Sequence, residues 1–344
     1  MKFLSSEQFV GDLCVELERE WIVIRIHVFK ISAEAIMDRL EPLLLQQLHA
    51  GCKVEILADA IFSQYNFSPH IWRFLSSREE FTVHARIQNK TQAMFARLHN
   101  AGAEITFINE PGWWNKHFFP SFKRDHRKII ILEGKSGVMQ AYYGAVNLDG
   151  GGRYDFMIKE EDADTVTKLR GVSGFFGSNL PASDTLYSLS DQKSTLLFDR
   201  GRPGSSLIYK TGLSMIQKAT NQVLFVSQMP AECSLLIKFI RARRNGAKVT
   251  HYMPVKSHPN ISSFPNIIMY WIVVMVAKVF SIKIIHLRVF THAKILIADN
   301  EVLIGSHNLS YTGVMSGVAE VSVRSSDDTL VQKVRDFVER FPLE

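Results

Sequence analysis

Cysteine is scarce. Cys14, Cys52 and Cys233 are the only three, scattered without CxxC or Cys/His spacing, which argues against a disulfide framework and a structural zinc site. Long apolar runs are missing too: the longest, Ile267 to Ala277, has eleven residues and is closed by Lys278, whereas a bilayer-spanning helix needs about 20. The first twenty residues meet acids before any apolar run of signal-peptide length, so no secretion signal is read there and the expected location is cytoplasmic or peripheral to a membrane. Compositional bias is absent as well. With 46% hydrophobic and 22% charged residues, disordered, collagen-like and coiled-coil readings fail and a sizeable core can be buried. Acids are in modest deficit, 34 against 40 basic residues, and the net charge of +6 suits an anionic partner. Charge alone does not choose between nucleic acid and a phospholipid surface.

What the chain does have is repetition. Its 344 residues leave room for two halves of ordinary domain size, and each half opens on a β-branched stretch, Trp21 to Phe29 and Gln222 to Ser227. A helix-like segment follows in each, closed by matched phrases, Ala50-Gly-Cys-Lys-Val and Asn245-Gly-Ala-Lys-Val, whose Gly51 and Gly246 read as helix C-terminal caps. Later matches keep the same order: Ala101-Gly-Ala-Glu-Ile-Thr-Phe with Phe280-Ser-Ile-Lys-Ile-Ile, then His126-Arg-Lys-Ile-Ile-Ile-Leu-Glu with His292-Ala-Lys-Ile-Leu-Ile-Ala-Asp. This is a duplicated α/β unit. The expected division is a first half over 1–170, a connector over 171–200 rich in Gly, Ser and Asp at its start, and a second half over 201–344.

The third matched phrase carries chemistry. On a strand His126 and Lys128 would point the same way, as would His292 and Lys294, so each HxK presents an imidazole beside an ammonium, an arrangement that suits an anion. Downstream, Gly144-Ala-Val-Asn147 and Gly305-Ser-His-Asn308 each place an asparagine after a glycine-led turn, where its amide can donate to the same anion. About one HxK is expected by accident in a chain with this many His, Lys and Arg. Here both copies open an apolar run, both have an acid five residues after the Lys, and both precede GxxN. A phosphate pocket of pseudo-twofold symmetry is the expectation, with two lysines and two asparagines binding the non-bridging oxygens.

This pattern resembles the phospholipase D superfamily, whose signature is a doubled HxK(x)4D followed by a Gly/Ser-rich turn and Asn. The second copy, HAKILIADNEVLIGSHN, fits closely, whereas the first has Glu133 for the Asp, a longer gap to Gly144, and Ala145 where Ser306 stands in the second. The Arg-Asp-His-Arg-Lys context of residues 124 to 128 is most similar to bacterial cardiolipin synthases. The resemblance implies a duplicated α/β sandwich whose two halves share one active site by pseudo-twofold symmetry. It implies phosphodiester cleavage or transfer on phospholipid through a phosphohistidine, needing neither metal nor cofactor. His126 would be the nucleophile and His292 the general acid and base, an order taken from the family. Two alternatives stay open: a metal-independent nuclease of the same superfamily, with nucleic acid the less favoured partner, and a degenerate member without activity.

A nucleophilic imidazole needs its other nitrogen held by an acceptor. Asp155 and Glu320, each a short way past its Asn in a strand-like run, are the candidates, with exposed strand-edge acids as the alternative. Ser306 is a further supporting residue. Glu133 and Asp299 border turns and read as structural caps. Trp113 and Trp114, in an aromatic segment over 111–122 just before the first HxK, suit a membrane or substrate loop, or else a loop folded over its own domain. Residues 264 to 280 sit at the repeat position of a sheet-covering helix, so core burial is expected, with membrane contact as the alternative. Tyr142, Tyr143 and Tyr311 flank the Asn turns and could offer hydroxyls to a glycerol headgroup, or only pack.

Overall fold

The computed structural model describes residues 1–63, 78–110, 124–150, 154–175, 180–254, 264–289 and 291–342. In the first half the chain runs β1 (Lys2–Ser5), α1 (Ser6–Leu17), β2 (Val23–Val28), α2 (Ala35–His49), β3 (Lys53–Asp59), α3 (Ala60–Ser63), α4 (Arg78–Asn100), β4 (Glu104–Ile108), β5 (Ile129–Glu133), β6 (Met139–Gly144), β7 (Phe156–Glu160) and α5 (Ala163–Gly171). The second half runs β8 (Thr185–Ser188), β9 (Ser194–Arg200), α6 (Leu207–Lys218), β10 (Gln222–Val226), α7 (Cys233–Arg244), β11 (Lys248–Pro254), α8 (Phe264–Phe280), β12 (Lys283–Leu287), β13 (Ile295–Ala298), β14 (Glu301–Gly305), α9 (Tyr311–Ser316), β15 (Ala319–Ser325) and α10 (Asp328–Glu339).

Two mixed sheets result, ordered β1-β7-β6-β5-β2-β3-β4 and β12-β11-β10-β13-β14-β15-β9-β8. Read from opposite ends, the orders superpose strand for strand, β4 on β12 through β1 on β9. Three strands in each are parallel and linked by helices, while the rest are antiparallel. The duplicated α/β fold read from the repeats is therefore present. Residues 171–200, expected as a connector, contain β8 and β9, so strand pairing with β15 makes much of that stretch part of the second sheet.

The sheets pack face to face. Ile129, Ile131, Tyr143, Phe156 and Ile158 of the first meet Val226, Ile295, Ile297, Val321 and Val323 of the second in a common core. The opposite face of the first sheet, with Ile130 and Leu132, is covered by α1 and α2, and that of the second, with Leu296 and Leu303, by α6 and α7. Burial on both faces explains why β5 and β13 read as unbroken apolar runs rather than alternating ones. Helix ends follow their local signals: Ser5 and Gln8 form a capping box at α1, and Gly51 and Gly246 take positive φ after α2 and α7.

Candidate functional site

The HxK tripeptides do not lie within strands. His126 to Lys128 and His292 to Lys294 precede β5 and β13 as extended segments hydrogen-bonded to the opposite half. Asp125 bridges to Ala319 and Tyr154 to Thr291, and the His126 N–H donates to the Ala319 carbonyl at 2.9 Å. Cross-pairing of the two halves thus takes up backbone groups on the histidine side of each motif and brings the motifs together, while the Lys128 carbonyl still accepts the Gly144 N–H of its own sheet at 3.3 Å.

The imidazoles of His126 and His292 stand with ring centroids 6.0 Å apart at 70°. Their Nδ1 atoms make equivalent contacts. His126 Nδ1 donates to the Ser306 carbonyl and the Glu320 carboxylate, both at 3.1 Å, and His292 Nδ1 donates to the Ala145 carbonyl and Asp155 Oδ2, both at 3.0 Å. Each histidine is therefore held by the carboxylate and the GxxN turn of the other half. With Nδ1 protonated and occupied, ring chemistry falls to Nε2.

Charge is concentrated and buried. Lys128 and Lys294 are nearly inaccessible, and each folds back so that its Nζ donates to the carbonyl of the histidine two residues before it. Burial, with Lys128 and Lys294 adding to it, holds His126 well below its ordinary value and so neutral at pH 7. Burial lowers Lys128 to about 8, against the pull of Glu320 and Asp155, and raises Glu320 to about 7, against the nearby cations and the Ser306 hydroxyl. Ser306 Oγ donates to Glu320 and receives the Val321 N–H at 3.0 Å. The first half has only Ala145 at the corresponding place.

The asparagines sit in the turns after β6 and β14, Asn147 buried and Asn308 half-buried: Asn147 Oδ1 has no hydrogen-bond partner among the described residues, and Asn308 Oδ1 accepts from Gln228 Nε2 at 3.2 Å. A Cβ at Gly144 would sit 2.7 Å from the Phe156 carbonyl oxygen, and one at Gly305 2.4 Å from that of Val321, so close backbone approach demands the glycines of GxxN. A cavity of about 670 Å³ leads from His126 and Glu320 past Asn308 to Met229, Met269 and Tyr311, and its walls are largely apolar.

Other expectations fare unevenly. Trp113 and Trp114 lie outside the described residues. Tyr142 and Tyr143 are fully buried, one donating to Asp12 at 2.6 Å and the other within the inter-sheet core, so they cannot meet a headgroup; Tyr311 is half exposed and lines the cavity. Asp299 accepts the N–H groups of Thr220, Asn221 and Gln222 at 2.8 to 2.9 Å, and Glu133 binds Arg25, both away from the imidazoles. Two supports escaped the sequence reading. Arg127 ion-pairs with buried Asp125, which also lies 3.3 Å from His27, and His307 accepts the Leu309 N–H at 2.7 Å while its Nε2 sits 3.3 Å from Ser206. The acid before the first His was the only available signal. Among the described residues no three His, Cys, Asp or Glu side chains are placed to hold a metal ion.

Comparison with known proteins agrees with this picture at the level of fold. No family model matches the sequence, and no curated protein matches it. Among solved structures, phosphatidylserine synthase from Haemophilus influenzae Rd KW20 aligns over 100% of this chain and 87% of its own, at a TM-score of 0.67 and 12% identity. Polyphosphate kinase from Porphyromonas gingivalis aligns over 98% of this chain at a TM-score of 0.60 and 14% identity; the chain spans 49% of that protein's length. Both are phospholipase D superfamily members, so the resemblance read from the doubled motif extends to the fold of nearly the whole chain.

Proposed function

We propose that this chain is a phosphodiester-cleaving enzyme of phospholipase D type that acts on phospholipid, most closely as a phosphatidyl transferase of the cardiolipin synthase kind. The observation that carries the reading is the crossed pair of histidines, each tautomer set by a carboxylate of the opposite half, at a spacing a phosphate can bridge. Neutral His126 attacks phosphorus through Nε2, forming a P–N bond as the P–O bond to the leaving group breaks. Protonated His292 gives its proton to the departing oxygen. In the second step His292 takes the proton of an incoming hydroxyl, the new P–O bond forms and the P–N bond breaks. Lys128, Lys294, Asn147 and Asn308 supply positive charge and donors for the non-bridging oxygens. Asp155 and Glu320 stabilise whichever imidazole is charged.

A lipid substrate is favoured over a polynucleotide by the cavity beside His126, whose Met229, Met269 and Leu309 walls offer little to a phosphate backbone and much to an apolar substituent. An apolar cavity also keeps water from the covalent adduct, which favours transfer to an alcohol. The test is product analysis with labelled phosphatidylglycerol vesicles and with single-stranded DNA, each with a chelator present. Cardiolipin and glycerol are expected. Phosphatidic acid as sole product at every acceptor concentration would make the enzyme a hydrolase, and cleavage of DNA alone would make it a nuclease.

A further inference from the structure

The helices α4 and α8 occupy the same repeat position, each covering one sheet before its last parallel strand, yet their outer faces differ in kind. On α4 the exposed positions include Arg86, Asn89, Lys90, Gln92 and Arg97, with Val83 the one large apolar side chain exposed among its described residues. On α8 the inner stripe, Tyr270, Val273 and Ala277, is buried, while Ile268, Trp271, Met275 and Val279 are 45%, 46%, 60% and 73% exposed. Their spacing of three or four residues makes one apolar stripe along the helix. The fold does not require this, because α4 fills the same place with polar groups. Core burial, expected for this segment, holds for only one of its faces.

We infer that the outer face of α8 lies in the surface of an anionic phospholipid bilayer and delivers substrate to the cavity beside His126; the inference rests on the phospholipid reading above. Three features select this occupant. The helix contains no acid, and the exposed cations Lys278 and Lys283 flank the end of the stripe, with the Arg244 guanidinium 5.7 Å from the Phe280 ring. Apolar residues with a tryptophan and a cationic border are the composition of an interfacial helix. The same helix gives Met269 to the cavity wall, so the stripe and the candidate site are continuous along one element. Seventeen residues rise about 25 Å at 1.5 Å each, short of a bilayer core. With one face already packed on the sheet, α8 can lie in the interface and not across it.

The experiment compares wild type, Met275→Glu/Val279→Glu and Lys278→Glu/Lys283→Glu in cosedimentation with phosphatidylglycerol and phosphatidylcholine vesicles. Cleavage of bis(p-nitrophenyl) phosphate and the oligomeric state are followed in parallel. Wild type should bind phosphatidylglycerol more tightly than phosphatidylcholine. The apolar-face variant should lose at least tenfold in binding to both, and the lysine variant should lose only the preference for the anionic lipid. Cleavage of the soluble ester should stay within twofold for both variants. Undiminished vesicle binding by Met275→Glu/Val279→Glu, or no binding by wild type, overturns the inference; loss of self-association with vesicle binding intact would assign the face to a second copy of the chain. His126→Asn should bind vesicles like wild type. A wild type that binds vesicles and cleaves neither ester nor lipid would sink the proposed activity and leave the surface assignment standing.

Discussion

Asp125 and Thr291 hold equivalent places, each one residue before its histidine. In the first half Asp125 Oδ1 accepts the N–H of Arg127 at 3.3 Å; in the second Thr291 Oγ1 accepts the N–H of Ala293 at 3.1 Å and donates to the Tyr154 carbonyl at 2.7 Å. One backbone turn is thus fixed by a carboxylate on one side and by a hydroxyl on the other. The hydroxyl needs nothing more. The buried carboxylate needs partners, and Arg127 and His27 provide them, outweighing the effect of burial and holding Asp125 well below the usual carboxylate range. Further along, the relation reverses: Glu320 of the second half has Ser306 beneath it, whereas Asp155 of the first faces Ala145 and takes the Phe156 N–H at 3.0 Å. Geometry at the phosphorus-facing nitrogens is conserved between halves, and the supporting chemistry is not. What the shared site demands of each half is position.

The comparison breaks first at the histidines. His126→Asn and His292→Asn should each lower turnover by about 10⁴-fold or more, since nucleophile and acid act as a unit. Single-turnover assays on labelled phosphatidylglycerol would show it, and either variant within tenfold of wild type rejects the assignment. Next come the crossed acids. Glu320→Gln and Asp155→Asn should each cost about 10²-fold or more by releasing the imidazole of the opposite half. Burst kinetics on two substrates would separate them: a p-nitrophenyl leaving group needs little protonation, so Asp155→Asn should slow the burst less on bis(p-nitrophenyl) phosphate than on phosphatidylglycerol, whereas Glu320→Gln should slow both alike. Equal losses on both substrates for both variants would mean the acids serve only the fold.

Stability should divide the halves more sharply. Arg127→Ala leaves a buried charge alone and should cost about 3 to 5 kcal/mol, while Thr291→Ala removes a neutral bond and should cost about 1 kcal/mol. Denaturant midpoints at pH 7 compare them, and costs of equal size would remove the distinction. The two acids also predict opposite pH dependences. Glu320 is raised from 4.5 to about 7, so its contribution to stability is present below pH 4.5 and lost as pH rises through 7. Asp125 is lowered, so its contribution is present at neutral pH and lost in acid. Thermal melts of Glu320→Gln should gain on wild type between pH 4.5 and 7, and those of Asp125→Asn should lose most at neutral pH. Smallest of all, Glu133→Gln should change turnover less than threefold, because Glu133 binds Arg25 away from the imidazoles.

The duplication was legible because matched phrases fall in the same order, and sheet order follows from that order once helices must separate the parallel strands. His126 and His292 were legible for the same reason. Their crossed support was not. Asp155 and Glu320 could be named from an acid in an apolar strand, but which histidine each serves depends on how the two sheets face, and nothing local in Arg153 to Ile158 or Val318 to Val323 states it. Placing HxK on a strand failed because Ala319 and Tyr154, in the other half, take its backbone. Of the two readings open for Tyr142 and Tyr143, packing holds, because a strand buried on both faces leaves no side chain for solvent.

The most direct test of one site built from two halves is to trap the adduct. Wild-type enzyme quenched during turnover of labelled phosphatidylglycerol should carry a phosphatidyl group on His126 in the mass spectrum, His126→Asn should carry none, and no label should reach His292. Label on His292, or turnover with no histidine adduct in a quench fast enough to catch it, would contradict the account.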